Sequence, residues 1–264
     1  TDLGRIEKFT PKPAKLTEVR DVLIKWQNLC QEHELVYSLF TDNHDQAHFI
    51  SRMAHAPEQR YEMATCVATM FFTLRGIPFI YQGQEIGMIS PHYDSIEDFD
   101  DIESKNMYAE MCQSMSPEEA LERINFGSRD NTRHPMCWDD SEFGGFSQTK
   151  PWIATHSMVK DLNLKKDLAS DRSVYRFYQT LLKARSTYDA LTLGTVRFLS
   201  KQEDNFMITL REYEGEKILI VCNFEQGQTI HTGFECGQLL LSNSKENAQL
   251  NGHYGPFEIG IYRV

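Results

Sequence analysis

The sequence has no long apolar run, no closely spaced cysteine pair and no excess of basic residues, and each absence excludes a class of protein. No run of apolar residues approaches the length that crosses a membrane, and no signal peptide is evident, so we expect no membrane partner. The formal net charge of -11 argues against nucleic acid, because phosphate backbones are bound through clustered Lys and Arg. An acidic surface is compatible with a neutral substrate.

The six cysteines are widely spaced among the 264 residues, and none belongs to a CxxC pair. Cys30 and Cys66 fall on the apolar faces of predicted helices. We therefore expect reduced thiols and a cytoplasmic location. The nine histidines show no metal-ligand spacing, so we predict no metal site and no other cofactor.

Helix and strand patterns alternate through the first 81 residues. The segments 16–33 and 59–75 carry apolar residues at helical spacing. Each is followed by a short apolar run without strict alternation, at 35–40 and at 77–81. Strands that are covered on both faces have this composition, which favours a parallel sheet. The order helix, strand, helix, strand is typical of a parallel α/β barrel.

The pattern changes after the second apolar run. Short helical pieces mix with aromatic and polar residues at 88–166, and so long an excursion from a compact scaffold is usually functional. A further amphipathic helix is predicted at 171–188, followed by short strands separated by turn residues. We predict two domains: a partial (β/α)8 barrel at 1–190, including the 88–166 region, and an antiparallel β domain at 191–264.

Polar side chains follow both predicted barrel strands. Asn43, His44 and Asp45 come after the first strand, and Gln82 to Glu85 come after the second. In a (β/α)8 enzyme the chemistry gathers at the carboxyl ends of the strands. An amide, an imidazole and a carboxylate are groups that bind sugar hydroxyls. The tip of the first strand is therefore the candidate site.

Four motifs resemble the C-terminal part of a glycoside hydrolase family thirteen enzyme, in the α-glucosidase and oligo-1,6-glucosidase branch of the α-amylase family. They are Asn43-His44-Asp45-Gln46, Gly76 to Met88, Asp101-Ile102-Glu103 and Ser128 to Asp139. The resemblance covers essentially the whole chain. It implies the last strands and helices of a (β/α)8 TIM barrel followed by a small antiparallel β domain. It also implies retaining hydrolysis of α-linked gluco-oligosaccharides by two carboxyl groups roughly 5 Å apart.

The resemblance assigns roles to five residues. Asp45 matches a third carboxylate, which holds hydroxyls of the reacting glucose and stabilises the transition state as its ring flattens. His44 is expected to donate a hydrogen bond to a sugar hydroxyl, and Asn43 to bind substrate beside it. Arg129 is expected to bind the non-reducing glucose, and Glu103 the sugar on the leaving side.

These roles compete with structural alternatives. Asp45 could cap a helix, His44 could be a satisfied buried histidine, and Glu103 could be an exposed loop residue. Arg129 could form a structural ion pair with a neighbouring aspartate, Asp130 or Asp139. The second arginine of the same motif, Arg133, is expected to brace the loop.

The chain departs from the family pattern immediately after Asp45. The family usually continues Asn-His-Asp-Gln with Pro-Arg, whereas this chain has Ala47-His48. The loop thereby lacks a rigid residue and a permanent guanidinium. Arg52 is a candidate to replace that guanidinium.

By resemblance, the nucleophile follows the fourth barrel strand and the acid/base the fifth, and both would precede this sequence. The chain starts at Thr1 rather than Met, so we expect a fragment that needs the N-terminal half of the barrel as its partner and is inactive alone. A glucosyl-transferring or isomerising enzyme remains an alternative, as does a non-catalytic scaffold or interaction relative. Retention of Asn43, His44, Asp45 and Arg129 favours an enzyme over a scaffold.

Overall fold

A computed structural model describes residues 4–12, 15–53, 57–224, 226–246 and 248–264, so that Thr1 lies outside the described residues. The described residues form eight α-helices: α1 Leu16–Glu32, α2 Arg60–Phe72, α3 Ile102–Met111, α4 Pro117–Gly127, α5 Asp130–Arg133, α6 Leu164–Ala169, α7 Val174–Thr187 and α8 Asp189–Thr192. They also form eleven strands: β1 Arg5–Glu7, β2 Thr10–Pro11, β3 Ser38–Leu39, β4 Ile77–Pro78, β5 Thr195–Phe198, β6 Phe206–Tyr213, β7 Glu216–Asn223, β8 Gln228–Ile230, β9 Gln238–Ser242, β10 Gly252–Tyr254 and β11 Ile259–Arg263. No helix among them is both long and apolar enough to cross a membrane.

The chain divides into two compact units whose segments interleave in sequence. The described part of unit 1 comprises 4–12, 41–53 and 80–175, and that of unit 2 comprises 15–40, 57–79 and 176–264. Every candidate site residue belongs to unit 1, so the geometry of the site can be followed within that unit. The division at residue 190 stays a prediction.

Unit 2 contains the two predicted barrel strands, and they pair in parallel. Ser38 lies opposite Ile77, and Leu39 lies opposite Pro78, which agrees with the parallel arrangement predicted from composition. The paired segments are only two residues long, shorter than the apolar runs that predicted them. Val36, Ile77 and Phe79 are more than half exposed, so the expectation that these strands are covered on both faces is wrong for the chain as described.

Gly76 fixes the approach of β4 to β3. The helical pattern at 59–75 extends up to this glycine, but α2 ends at Phe72 with Thr73 as its C-cap. Gly76 instead adopts a φ of 148°, and a Cβ added there would lie 2.2 Å from the carbonyl oxygen of Tyr37. Any side chain at this position would push the two strands apart.

Unit 2 also contains a five-stranded antiparallel sheet with the order β5-β6-β7-β11-β9. Its core includes Ile208, Leu210, Leu219 and Val221, which are buried, and β8 pairs with β10 in a separate two-stranded sheet. Antiparallel strands after residue 191 are therefore confirmed. Together with the helices, this sheet gives the chain a mixed α/β structure.

Unit 1 is built from short helices and long connections. One core cluster joins Phe9, Phe99 and Ile124, where α3 packs against α4. A second cluster contains Ile86, Met136 and further buried apolar residues. These two clusters fix the long connections, which carry the polar side chains described next.

Candidate active site

Asp45 presents its carboxylate at the surface of unit 1. Its side chain is 53% exposed, and Oδ1 accepts a hydrogen bond from Nη2 of Arg133 at 3.0 Å. Oδ2 lies 3.3 Å from Nε2 of His44. The main-chain amide of Asp45 donates to Oδ1 of Asn43 at 2.8 Å, which closes a tight turn. The carboxylate is thus bonded through side chains, an arrangement that differs from a helix cap.

Two further predicted residues surround this carboxylate. His44 is 68% exposed at its side chain, so it is not the buried histidine of the structural alternative. Arg133 donates from Nε to the carbonyl oxygen of His44 at 2.7 Å, in addition to its bond to Asp45. One planar guanidinium therefore fixes both the main chain of this loop and its charged tip. Arg133 braces a loop, as expected, and the loop is the one that carries Asp45.

Arg129 pairs with a residue that we did not predict as its partner. Both Nε and Nη2 donate to Oδ1 of Asp101, and Nε lies 3.6 Å from Glu103. Neither Asp130 nor Asp139 takes this place. Glu103 also bonds Lys8, so it lies in an ion-pair network at the start of α3 rather than on a free loop.

The charges in this network stabilise each other. Burial opposes ionisation of Asp101, but hydrogen bonds from Arg129 and Ser104 outweigh it and hold the pKa of the carboxyl below its usual range. The bond to Asp101 is also the main cause that raises the pKa of Arg129, and the charges of Glu103 and Asp45 add to it. Both groups are consequently charged at neutral pH.

The second strand tip holds the loops of unit 1 together. Gln84 donates from Nε2 to the hydroxyl of Thr41 at 2.6 Å, directly before the Asp45 turn. Gln82 donates to the carbonyl oxygen of His134 at 3.3 Å. Tyr81 donates its hydroxyl to the carbonyl oxygen of Thr132 at 3.1 Å. The polar residues after the second strand are thus structural supports for those after the first.

The short helix α5 connects three segments of unit 1. Asp130 accepts hydrogen bonds from the main-chain amides of Asp100 and Asp101, at 2.7 Å and 2.8 Å. Asn131 donates to the carbonyl oxygen of Asn125 at 2.6 Å. Thr132 and Arg133, the next two residues of α5, donate hydrogen bonds to the turn at 43–46. This helix therefore fixes Asp101, and through it Arg129, relative to the Asp45 turn.

Three buried imidazoles pack side by side in unit 1. His48 is 5.6 Å from His134 between ring centroids, and His134 is 4.9 Å from His156. All three side chains are fully or almost fully buried. His48 occupies the position where the family usually has arginine, and its Nδ1 lies 3.5 Å from Asp42. His48 shares the Asp45 loop, and His134 directly follows Arg133, so both ends of the Asp45–Arg133 bond adjoin this cluster.

The proposed replacement for the missing arginine does not take its place. Arg52 is buried, and its guanidinium lies 5.3 Å from the ring centroid of Phe49. Burial lowers its pKa to about 10, while the charge of Asp42 opposes that change. Arg52 is therefore an internal cation and not an exposed group beside Asp45.

The histidine cluster predicts a loss of stability in acid. Burial lowers the pKa of His156 to about 4, and burial together with His48 and His156 lowers the pKa of His134. In His156, Nδ1 accepts from the amide of Met158 at 2.9 Å, so a proton on Nδ1 would break that bond. Because the unfolded chain binds the proton more readily, stability is complete above about pH 6.5 and falls between there and pH 4.

We expect the contribution of His156 to the free energy of unfolding to be about 2 kcal/mol smaller at about pH 5 than at about pH 7. Denaturant unfolding at both pH values measures it. His156→Gln keeps a donor and an acceptor but cannot be protonated, so its pH dependence is expected to be weaker. The exposed His92 provides the control variant His92→Gln, which should retain the full dependence. Equal pH dependence of His156→Gln and the unsubstituted chain would contradict the prediction.

The described residues contain no group of three or more His, Cys, Asp or Glu side chains arranged to hold a metal ion. The six cysteines all lie among the described residues, and none of them forms a disulfide bond.

Comparison with known proteins identifies the family of this chain. A family model described as the alpha amylase catalytic domain matches residues 4–194. Oligo-1,6-glucosidase of Halalkalibacterium halodurans is 36% identical over 272 residues, covering 100% of this chain and 47% of that protein. The structure of Bacillus licheniformis trehalose-6-phosphate hydrolase has a TM-score of 0.91 at 28% identity and covers 97% of this chain and 48% of that one. The structure of trehalulose synthase MutB from Pseudomonas mesoacidophila MX-45 has a TM-score of 0.88 at 30% identity, and it covers 97% of this chain and 48% of that one.

The chain therefore belongs to the alpha-amylase family, as its motifs predicted. Within that family its relatives include oligo-1,6-glucosidases, trehalose-6-phosphate hydrolases and a trehalulose synthase. The chain spans about half the length of the curated relatives that it matches.

Proposed function

We propose that this chain forms one part of the active site of a retaining α-glucosidase that acts on short α-linked gluco-oligosaccharides. The observation that carries the proposal is the exposed Asp45 carboxylate held by Arg133 at 3.0 Å. A fixed carboxylate at the surface can accept hydrogen bonds from two vicinal hydroxyls of a glucose ring. Such bonds strengthen as positive charge develops on the ring, so they stabilise the transition state more than the bound substrate.

The neighbouring side chains supply the remaining contacts of the proposal. His44 lies beside the Asp45 carboxylate and can donate to a sugar hydroxyl. The side-chain oxygen Oδ1 of Asn43 accepts the main-chain amide of Asp45 and so shapes the turn, which leaves the side-chain NH2 group of Asn43 to bind substrate. Arg129 and Glu103 form a charged pair. We assign Arg129 to the non-reducing glucose and Glu103 to the sugar on the leaving side of the scissile bond.

The two carboxyl groups that break the bond are proposed to lie outside this chain. In a double displacement one carboxylate attacks the anomeric carbon, and the leaving oxygen takes a proton from the other. Water then cleaves the glucosyl-enzyme with retention. Coverage of only about half of each relative supports this division of the site. The exposed apolar side chains Val36, Ile77 and Phe79 support the N-terminal half of the barrel as the partner of β3 and β4.

The experiment compares the natural gene product with this chain alone. We expect the gene product to release p-nitrophenol from p-nitrophenyl α-glucoside, with α-glucose as the first sugar product when the reaction is followed by proton NMR. The chain alone is expected to have no activity, because it would lack the nucleophile and the acid/base. The free cysteines support a reducing compartment, so the assay is run with thiols reduced.

Each outcome has a defined meaning. A gene product without turnover would refute the glucosidase proposal and favour a scaffold. β-Glucose as the first product would refute retention. Hydrolysis by the chain alone would refute the division of the active site. Conversion of sucrose into an isomeric disaccharide, instead of glucose release, would show an isomerase like the trehalulose synthase among the relatives.

A further inference from the structure

The hydroxyl of Thr132 lies between the two ends of the Asp45 turn. Its Oγ1 is 2.9 Å from the carbonyl oxygen of Gln46 and 3.0 Å from that of Asn43. The catalytic candidates His44 and Asp45 are the two residues between these carbonyls. Thr132 is almost completely buried, so water is not available to replace the hydroxyl.

The two carbonyl oxygens need a donor at this position. Both are acceptors, and they converge on one hydroxyl that has a single proton to donate. A third acceptor for this hydroxyl, the carbonyl oxygen of Arg129, is farther away at 3.3 Å. Without that proton the two partly buried acceptors would lose their partner and repel each other across the turn. The expected result is a wider or more mobile turn at residues 43–46.

The main chain of Thr132 is itself held in place. Its carbonyl oxygen accepts the hydroxyl of Tyr81 at 3.1 Å. The next residue, Arg133, bonds the carboxylate of Asp45 and the carbonyl oxygen of His44. Consecutive residues of α5 thus hold the ends of the turn and its charged tip.

We propose that Thr132 is a positioning residue for Asp45, and this rests on the proposed function. Thr132 does not touch substrate; its hydroxyl sets the conformation of the turn from which Asp45 reaches the sugar. Transition-state stabilisation depends steeply on such placement, and a misplacement of about 1 Å can lower a rate by about 100-fold. Ground-state binding depends on several groups and is less sensitive.

The test uses Thr132→Val and Thr132→Ser in the natural gene product. Valine has the shape of threonine without the hydroxyl, and serine keeps the hydroxyl. We expect Thr132→Val to lower kcat on p-nitrophenyl α-glucoside by about 10-fold to 100-fold with KM changed by less than about threefold. Thr132→Ser is expected to keep kcat within about threefold of the unsubstituted protein. Equal kcat for Thr132→Val and the unsubstituted protein, or equal losses in both variants, would overturn the proposal.

Thr69→Val is the matched control. Thr69 is also buried, and its hydroxyl donates to the carbonyl oxygen of Thr65 within α2. The same chemical change there is expected to leave kcat unaltered. A comparable loss of kcat in Thr69→Val would show that the effect of Thr132→Val is unspecific and would overturn the proposal.

Hydrogen exchange separates this proposal from the proposed function. Amide exchange in the peptide covering 41–50 is expected to be at least about 10-fold faster in Thr132→Val than in Thr132→Ser. This readout needs no turnover, so it tests the role of the hydroxyl even if the gene product is no glucosidase. Equal exchange in the two variants would overturn the positioning role. Faster exchange in a protein that lacks glucosidase activity would uphold control of the turn and refute only the proposed function.

Discussion

Asp45→Asn is expected to lower kcat on p-nitrophenyl α-glucoside by about 100-fold to 1,000-fold in the natural gene product. Asparagine has nearly the same shape, so the turn closed by Asn43 should persist. The variant removes the negative charge that would oppose the positive charge of the transition state. It also reduces the ion pair with Arg133 to a hydrogen bond from a charged donor to a neutral oxygen. KM should change much less than kcat, because the lost interaction is strongest in the transition state.

Asp140→Asn provides a matched control for this variant. Asp140 is 52% exposed at its side chain and pairs with Lys165 at 3.0 Å, which closely resembles the exposure and pairing of Asp45. Removing that charge should leave kcat unaltered. Circular dichroism and the thermal midpoint should be unchanged in both variants. Turnover of Asp45→Asn within a few-fold of the unsubstituted protein would refute the assigned role.

Arg185→Met is expected to cause the largest loss of stability, at least about 3 kcal/mol in the free energy of unfolding. Arg185 is 6% exposed and lies on α7. Its guanidinium donates to four main-chain carbonyls: those of Phe72, Leu74, Gly76 and Leu191. One of these carbonyls belongs to Phe72, the last residue of α2, and two others follow shortly after it, at a helix end where the dipole favours a cation. Methionine fills the volume but leaves buried acceptors without a donor.

Two further variants define the origin of this loss. Arg185→Lys keeps the charge but not the planar fork, so we expect an intermediate loss. Lys183→Met changes an exposed residue of the same helix and should cost less than about 0.5 kcal/mol. Urea denaturation with a constant m-value measures all three variants. Equal stability of Arg185→Met and Lys183→Met would contradict this account.

Elements with strong local patterns were predicted well. The segment predicted as a helix at 16–33 is α1, and the short strands predicted after residue 191 include β6. The sequence pattern did not predict α3 as one continuous helix. Most of its residues are polar or partly exposed, so it has no well-defined apolar face. The strands β3 and β4 are shorter than their apolar runs because hydrogen bonding to a neighbour, not composition, determines where a strand ends.

The contacts of the candidate site depend on residues that are distant in sequence. Asp45 and Arg133 are 88 positions apart, and no local pattern predicts which of two arginines in one motif reaches the carboxylate. Asp101 was overlooked although it stands in the same motif as Glu103. The feature that could have indicated Asp101 is its place as an acidic residue directly before a helix, where a side chain is held close to the first turn.

The clustering of site contacts on α5 has a consequence for how the loops can vary. Asp130, Asn131, Thr132 and Arg133 hold segments near 100, 125 and 43–46, so these positions are set by one turn rather than by the intervening chain. Connections between those segments can lengthen at modest entropic cost. Grafting of loops from longer or shorter homologues is thus compatible with an unaltered Asp45 turn, provided that the four α5 residues are left in place.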